Sequence, residues 1–183
     1  MLNNFIDIIL GSLKLDKNLY KNQANYSELG IYYSLIIVVI SIIIQTIPNN
    51  VYIDWMSEKG LWLRQDPLNF RNLLFLSLII WILKSFCIFV VGVKIFPNRD
   101  TKCNFLKVLI TVGYAHSPLL LNFLVFNSQL LYGILFTYIW YVSTLVIGIN
   151  EILSYKSNFK SFLVSFVSPI AISLVVFIII TFM

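Results

Sequence analysis

Metal-ligating and nucleophilic side chains are scarce in this chain. Its 183 residues include one histidine, two cysteines and eight acidic residues. A zinc site built on Cys and His needs about four ligands, so this supply excludes an ordinary one. Cys87 lies within an apolar run and Cys103 in a short basic segment, which argues against a disulfide between them.

Sequence motifs of soluble enzymes are missing as well. The chain has no Gly-rich phosphate loop ending in Gly-Lys-Ser/Thr, no GxSxG turn and no HExxH pair. Its few acidic residues stand at the edges of apolar runs, where a paired-carboxylate active site has no evident place. We therefore expect no catalytic residue, no cofactor and no metal site, and we do not expect an enzyme.

Apolar residues are abundant and make up 59% of the chain. They form five runs, each close to the roughly 20 residues that a helix needs to cross a bilayer. The runs are continuously apolar rather than alternating, which excludes a β-barrel and leaves helices. The sequence predicts an all-α integral membrane protein, a bundle of five transmembrane helices at about 29–47, 72–96, 105–125, 128–150 and 159–183.

Residues 1–28 predict a cytoplasmic or interfacial amphipathic segment with a short helix. Its helix is expected either to lie flat on the membrane surface or to dock on its own bundle. The features of a cleaved signal peptide are missing. The predicted apolar face comprises Leu2, Phe5, Ile6, Ile9 and Leu13, with Asn3, Asn4, Asp7, Ser12 and Lys14 largely elsewhere.

Basic residues are distributed unevenly between the segments that join the spans. If the N-terminus is cytoplasmic, nine Lys and Arg residues lie inside and three outside. Such a bias sets orientation, so we predict the N-terminus inside and the C-terminus outside. The net charge of +5 then reflects contact with anionic lipids rather than nucleic acid. Residues 48–71 would form the one sizeable outer loop, beginning at Pro48.

Lys84 and His116 lie near the middle of the second and third predicted spans. A basic residue at a helix centre costs about 2.5–3.5 kcal/mol on insertion scales, which suggests a functional role. We consider a polar Lys84–His116 site in a solute or proton pathway, with Ser77 on the same face as Lys84. The alternative has Lys84 reaching a headgroup or carbonyl and His116 bonded to backbone.

Small and polar residues recur on single faces of the later spans. Such residues let helices approach closely in lipid, so we interpret them as helix-packing positions, with a smaller chance of a partner's span. Gly113 and Ser117 form a similar pair on the third span. The predicted packing residues are Gly133, Thr137, Thr144 and Gly148 on the fourth span, and Ser161, Ser165 and Ser168 on the fifth.

The segment 104–126, NFLKVLITVGYAHSPLLLNFLVF, resembles the signature region of the Yip family of Ypt-interacting proteins and its bacterial relatives. The segments 92–102 and 139–164 are similar to the family's turn after the second span and to its fourth and fifth spans. The leader ILGSLKLDKNLYKNQANYSE looks like that of prokaryotic, particularly cyanobacterial, members. The motif positions are Gly113, Tyr114, Ala115, Pro118 and Leu120.

The resemblance implies a five-span bundle with a cytoplasmic N-terminus in a cyanobacterial-like inner membrane or a plastid membrane. Eukaryotic members are linked to small GTPases and vesicle traffic, but this chain lacks their long N-terminal region. We expect a non-catalytic scaffold or adaptor, with the lipid bilayer and other membrane proteins or itself as partners and no nucleic acid. The alternative is a small-solute or ion transporter with a midplane site at Lys84 and His116.

Overall fold

The structure is a computed structural model that describes residues 2–22, 26–58, 70–98, 101, 103–124, 130–167 and 170. Every regular element in these ranges is helical, which confirms the all-α prediction for this part of the chain. The elements are α1 (Leu2–Leu13), α2 (Lys17–Lys21), α3 (Glu28–Glu58), α4 (Phe70–Phe89) continued by a π-helical segment (Val90–Ile95), α5 (Phe105–Ala115) with a 3₁₀ segment (Ser117–Leu124), α6 (Leu130–Ile152) and α7 (158–167).

Three stretches are long and apolar enough to cross a membrane by length and composition: Glu28–Thr46, Arg71–Ile95 and Tyr132–Ile152. Their outward faces carry large exposed apolar side chains such as Phe75 and Phe136. A soluble protein rarely exposes so much contiguous apolar surface, so these faces suit lipid. The expected count of five spans stays a prediction, because most of the fifth run lies outside the described residues.

The helices share one end of the bundle, where the short connections meet. The ammonium of Lys107 in α5 lies 5.7 Å from the ring of Tyr26, just before α3. The segment after α4 and the turn after α6 are hydrogen-bonded, with Asn98 Nδ2 2.7 Å from the carbonyl oxygen of Ser154. Hence α3 and α5 run away from this end and α4 and α6 run toward it. We call it the basic end, comprising Gly92, Lys94, Pro97, Asn98, Thr101, Cys103, Leu153, Ser154, Tyr155, Lys156 and Lys160.

The predicted outer loop is helical over its described part, and its place outside the membrane stays a prediction. Helix α3 does not end near residue 47 but continues through Pro48 to Glu58. A proline removes one backbone donor but does not by itself end a helix, and such interruptions are tolerated in membrane helices. Residues 59–69, the rest of the predicted loop before α4, lie outside the described ranges.

The predicted third span is two elements with a break at His116. The amide of Pro118 has no hydrogen to donate to the Tyr114 carbonyl, one turn earlier. That carbonyl oxygen instead accepts from Ser117 Oγ and Ser12 Oγ, each at 2.8 Å. The break therefore follows from the proline, and the freed carbonyl ties α1 to the middle of the bundle.

The N-terminal segment docks on its own bundle, as one of the two alternatives expected. The predicted apolar face is partly wrong, because Ile6 is 44% exposed while Ile8 and Ser12 are buried. Ser12 Oγ lies 2.9 Å from the Tyr20 hydroxyl of α2 in addition to its bond to α5. The indole N–H of Trp140 in α6 donates to the carbonyl of Leu13 at 3.1 Å. Hydrogen bonds, as well as apolar contacts, hold α1 in place.

Candidate functional site

Lys84 and His116 lie on either side of one tyrosine. The Lys84 ammonium donates to the hydroxyl of Tyr141 in α6 and lies 4.6 Å from the centre of its ring. The imidazole of His116 meets the same ring edge-on, with 4.9 Å between ring centres. The two residues whose equal depth was predicted are therefore joined through Tyr141, and no direct hydrogen bond between them is seen.

The His116 ring also forms a hydrogen bond at the helix break. The amide of His116 donates to Gly113 O at 3.1 Å, one residue short of the α-helical partner Val112. The carbonyl oxygen left at Val112 lies 2.7 Å from His116 Nδ1. Because a carbonyl can only accept, Nδ1 is the donor, which leaves Nε2 as the acceptor of a neutral ring. His116 is thus bonded to backbone, as the structural alternative expected.

A cavity of about 190 Å³ lies beside Lys84, between α3, α4, the 3₁₀ segment and α6. Its walls combine polar side chains with apolar ones. Trp81 is only 5% exposed, and its indole nitrogen has no hydrogen-bond partner among the described residues. The lining residues are Val38, Ile42, Gln45, Ser77, Ile80, Trp81, Lys84, His116, Leu119, Tyr138 and Tyr141.

The charges around this cavity are of one sign. Lys84 is its charged residue, and its lining contains no carboxylate. Across the described ranges, His, Cys, Asp and Glu side chains form no group of three or more that could hold a metal ion. The cavity can therefore offer hydrogen-bond donors and a positive charge, which suits an electron-rich group rather than a cation.

Several predicted packing residues lie in contacts within the chain. A Cβ added to Gly113 would overlap Ser34 of α3, whose Cα is 3.1 Å away. A Cβ added to Gly148 would come within 2.6 Å of Thr111 Cγ2 in α5 and 3.0 Å of Tyr20 Cε1 in α2. Of the others, Thr137, Thr144, Ser161 and Ser165 are buried, Gly133 is half-buried, and Ser168 lies outside the described residues.

The basic end is held by side-chain hydrogen bonds to backbone. Thr101 Oγ1 donates to Leu153 O at 2.8 Å, and Lys160 Nζ donates to Pro97 O at 3.2 Å. The hydroxyl of Tyr155 lies 2.8 Å from the carbonyl oxygens of both Gly92 and Phe96, at the end of the π-helical segment. These bonds join the turns after α4 and α6 into one polar surface.

Burial also shifts two ionisable groups at this end. The loss of water raises the pKa of Tyr155 to about 12, with a smaller contribution from Cys103 in the same direction. Burial raises the pKa of the Cys103 thiol to about 11, and nearby Lys107 offsets only part of this effect. Both groups are therefore held in their neutral forms at physiological pH.

Comparisons with protein-family models, with curated proteins and with solved structures gave no match. The likeness to the Yip family thus stays a prediction based on the residues quoted for it. Of these residues, Gly113, Tyr114, Ala115 and Pro118 lie in the buried segment around the helix break. Their positions explain the break physically, and they do not by themselves identify a function.

Two polar aromatic residues of the cavity, Tyr141 and Trp81, are among those that were not predicted. Tyr141 lies at the middle of α6, so the halfway criterion that selected Lys84 and His116 would have selected it too. Trp81 stands three residues before Lys84, on the helix face shared with Ser77, and that spacing was a usable signal. Neither residue is charged, and aromatic residues are so frequent in this chain that the signal is weak.

Proposed function

We propose that this chain is a non-catalytic membrane scaffold or adaptor with a five-span, Yip-like architecture. Its N-terminus is cytoplasmic and its C-terminus outside, in a cyanobacterial-like bacterial inner membrane or, alternatively, a plastid membrane. Its partners are lipid and other membrane proteins or a second copy of itself. The three apolar helices and the uneven distribution of basic residues support this arrangement.

The observation that carries the adaptor proposal is the joined surface at the basic end. Two turns far apart in sequence are hydrogen-bonded into one unit through Asn98 and Thr101. Lys94 and Lys156 are exposed on it. A surface whose backbone is already ordered loses little conformational entropy on binding, which favours protein association. Its cationic groups suit an acidic partner surface.

The small-residue faces are less suitable for a partner than the sequence suggested. Gly113 and Gly148 are occupied by contacts with α3, α5 and α2 of the same chain. A partner's span would have to displace these contacts. We therefore assign the partner contact to the basic end, with the exposed apolar faces left to lipid.

Crosslinking in the native membrane tests the adaptor proposal. The tagged chain is crosslinked with a reagent that does not react with lysine, and the recovered proteins are measured by quantitative mass spectrometry. A stoichiometric partner should be lost in the Lys94→Gln/Lys156→Gln variant. It should be kept in Lys14→Gln/Lys17→Gln, which makes the same charge change at two exposed residues of the N-terminal segment. The adaptor proposal would be overturned if only neighbouring membrane proteins were recovered, in equal amounts from both variants.

A second candidate function, transport of a small solute or ion, is supported by the cavity beside Lys84. Hydrated polar cavities at membrane depth are typical of substrate pathways. Here Lys84 and His116 both contact Tyr141 at the cavity wall. A bundle acting only as a scaffold has no need of a basic residue beside a cavity.

Flux measurements separate the two candidates. Purified protein in liposomes should accumulate a labelled solute at a rate reduced at least about tenfold in Lys84→Met, since charge-assisted bonds to the solute are lost. Lys94→Met, an exposed lysine on the continuation of the same helix, should transport at the wild-type rate. Equal rates in wild type and Lys84→Met would contradict transport through this site.

A further inference from the structure

The ammonium of Lys84 beside the cavity has more hydrogen-bond donors than the described residues satisfy. An ammonium group has three N–H donors. The one acceptor observed for Lys84 Nζ is the Tyr141 hydroxyl. Open donors of a charged group at membrane depth are unfavourable, so Lys84 calls for an acceptor within the cavity.

The cavity's walls indicate what kind of acceptor fits. A positive charge at membrane depth is costly unless it is paired with an opposite charge or with strong acceptors. The lining provides no carboxylate, so the chain itself offers no anion there. The space of 190 Å³ corresponds to about six water molecules, enough for a small anionic group with a few carbon atoms.

The apolar part of the lining narrows the ligand class. Val38, Ile42, Ile80 and Leu119 line the same cavity as Lys84 and Trp81. Pockets of this composition hold the apolar part of a ligand and orient it with a few polar groups. A carboxylate has two oxygens that can accept from the ammonium of Lys84, and its negative charge pairs with that group.

We propose that this cavity is a binding site for a carboxylate that carries a short apolar group, with Lys84 as its donor and the Trp81 ring in its wall. The proposal depends on neither the scaffold nor the transport function, because binding is measurable without a partner or a flux. The carboxylate comes either from water, as a free short-chain acid, or from the bilayer, as the head of a fatty acid.

The test follows the indole N–H signal of Trp81 by NMR. Full-length protein with ¹⁵N-labelled tryptophan is placed in phosphatidylcholine nanodiscs, and the Trp81 signal is identified by its absence in Trp81→Phe. Sodium butyrate and decanoate are titrated at constant chloride. We expect a saturable shift of the Trp81 signal, because the Trp81 ring lines the cavity and its signal responds to a ligand bound against it. The Trp140 signal should not move, since that N–H is already bonded to Leu13 O.

Variants of lysine residues give the decisive comparison. Lys84→Met keeps the length of the side chain and should weaken the binding of the responding acid at least about tenfold. Lys17→Met should leave the binding unchanged, because Lys17 is exposed in the N-terminal segment. An unshifted Trp140 signal shows that Lys84→Met is folded, so weaker binding cannot be attributed to unfolding.

Each outcome either supports or overturns the proposal, and a supporting outcome also identifies the source of the carboxylate. A response to butyrate supports a free acid, and a response to decanoate alone supports a carboxylate from the bilayer. The proposal is overturned if neither acid shifts Trp81 in the wild type. It is also overturned if Lys84→Met binds as tightly as the wild type, or if sodium chloride alone gives the same shift as the acids.

Discussion

The basic end and the cavity beside Lys84 contain similar polar groups in opposite situations. At the basic end, the hydroxyl of Tyr155 and the ammonium of Lys160 both have backbone carbonyls as partners. At the cavity, the hydroxyl of Tyr141 accepts a hydrogen bond from Lys84, and the indole N–H of Trp81 has no partner among the described residues. One region satisfies its polar groups within the chain, and the other leaves donors without an acceptor among the described residues.

This difference separates structural polar groups from candidate functional ones. Buried polar groups in folded proteins are nearly always hydrogen-bonded, and each exception needs its own explanation. The polar groups of the basic end are explained by the joining of two turns. Those of the cavity are explained only if something else occupies it. The predictions below compare matched substitutions in the two regions.

The largest difference is expected from adding volume. At the basic end, a Cβ on Gly92 would lie 2.5 Å from Cδ1 of Leu153, which is fully buried, and 3.5 Å from Cγ1 of Val164. Gly92→Val should therefore lower the free energy of unfolding by about 3 kcal/mol. Ser77→Val adds its methyl groups beside the cavity and should change the free energy of unfolding by less than about 1 kcal/mol. Unfolding by SDS in mixed micelles measures both, and equal losses would contradict the proposed contrast in packing.

A hydroxyl deletion gives the next largest difference. Tyr155→Phe removes the hydroxyl that lies 2.8 Å from the carbonyl oxygens of Gly92 and Phe96. It should lower the free energy of unfolding by about 1–3 kcal/mol. Tyr141→Phe removes a group beside a cavity where water can replace it, so the cost should stay below about 1 kcal/mol. The same SDS titration compares them. A larger loss for Tyr141→Phe would show that the cavity, not the basic end, is the more tightly built region.

A gain in stability is expected at Ser154, in the turn after α6. Its φ of 54° is left-handed, and the turn closes with Tyr155 N donating to Asn150 O at 2.9 Å. Left-handed backbone costs a residue with a Cβ about 1–2 kcal/mol, while glycine's extra chain entropy offsets part of the gain. Ser154→Gly should raise the free energy of unfolding by about 0.5–1 kcal/mol. Ser157→Gly, in the same turn at an ordinary φ, should give no gain.

The helical class and the long apolar helices could be predicted because apolar runs are a local property. The stretches Glu28–Thr46 and Arg71–Ile95 match the first two predicted spans closely. The equal depth of Lys84 and His116 followed from counting along two runs. Their common contact with Tyr141 could not be predicted in this way, because it depends on how α4, α6 and the 3₁₀ segment are rotated about their axes.

The buried face of α1 could not be predicted, because its cause lies elsewhere in the chain. Hydrophobic periodicity placed Ser12 away from the apolar face, yet Ser12 is fully buried. Its partner is the Tyr114 carbonyl, which is free because of Pro118, a residue more than one hundred positions away. Helix α3 shows the converse, since Pro48 was expected to end a helix that continues to Glu58. At α1 the local signal fails because packing decides the outcome.

The smallest expected effect is a pH dependence at the basic end. Burial raises the pKa of Cys103 from 9.0 to about 11, so folding favours the neutral thiol. The resulting contribution to stability is fully present below pH 9.0 and is lost as the pH rises through about 11. Because the thiolate is the reactive form, labelling by a charged maleimide should be about a hundredfold slower than for a free thiol at pH 8.

The same thiol tests the proposed orientation. A charged maleimide does not cross the membrane, so it should label Cys103 from the cytoplasmic side of sealed vesicles and not from the outside. Cys87→Ser removes the second thiol and leaves Cys103 as the remaining one. Lys107→Met should slow the labelling further, because Lys107 favours the thiolate. Labelling from the outside alone would reverse the proposed topology and place the basic end, with its joined turns, out of reach of any cytoplasmic partner.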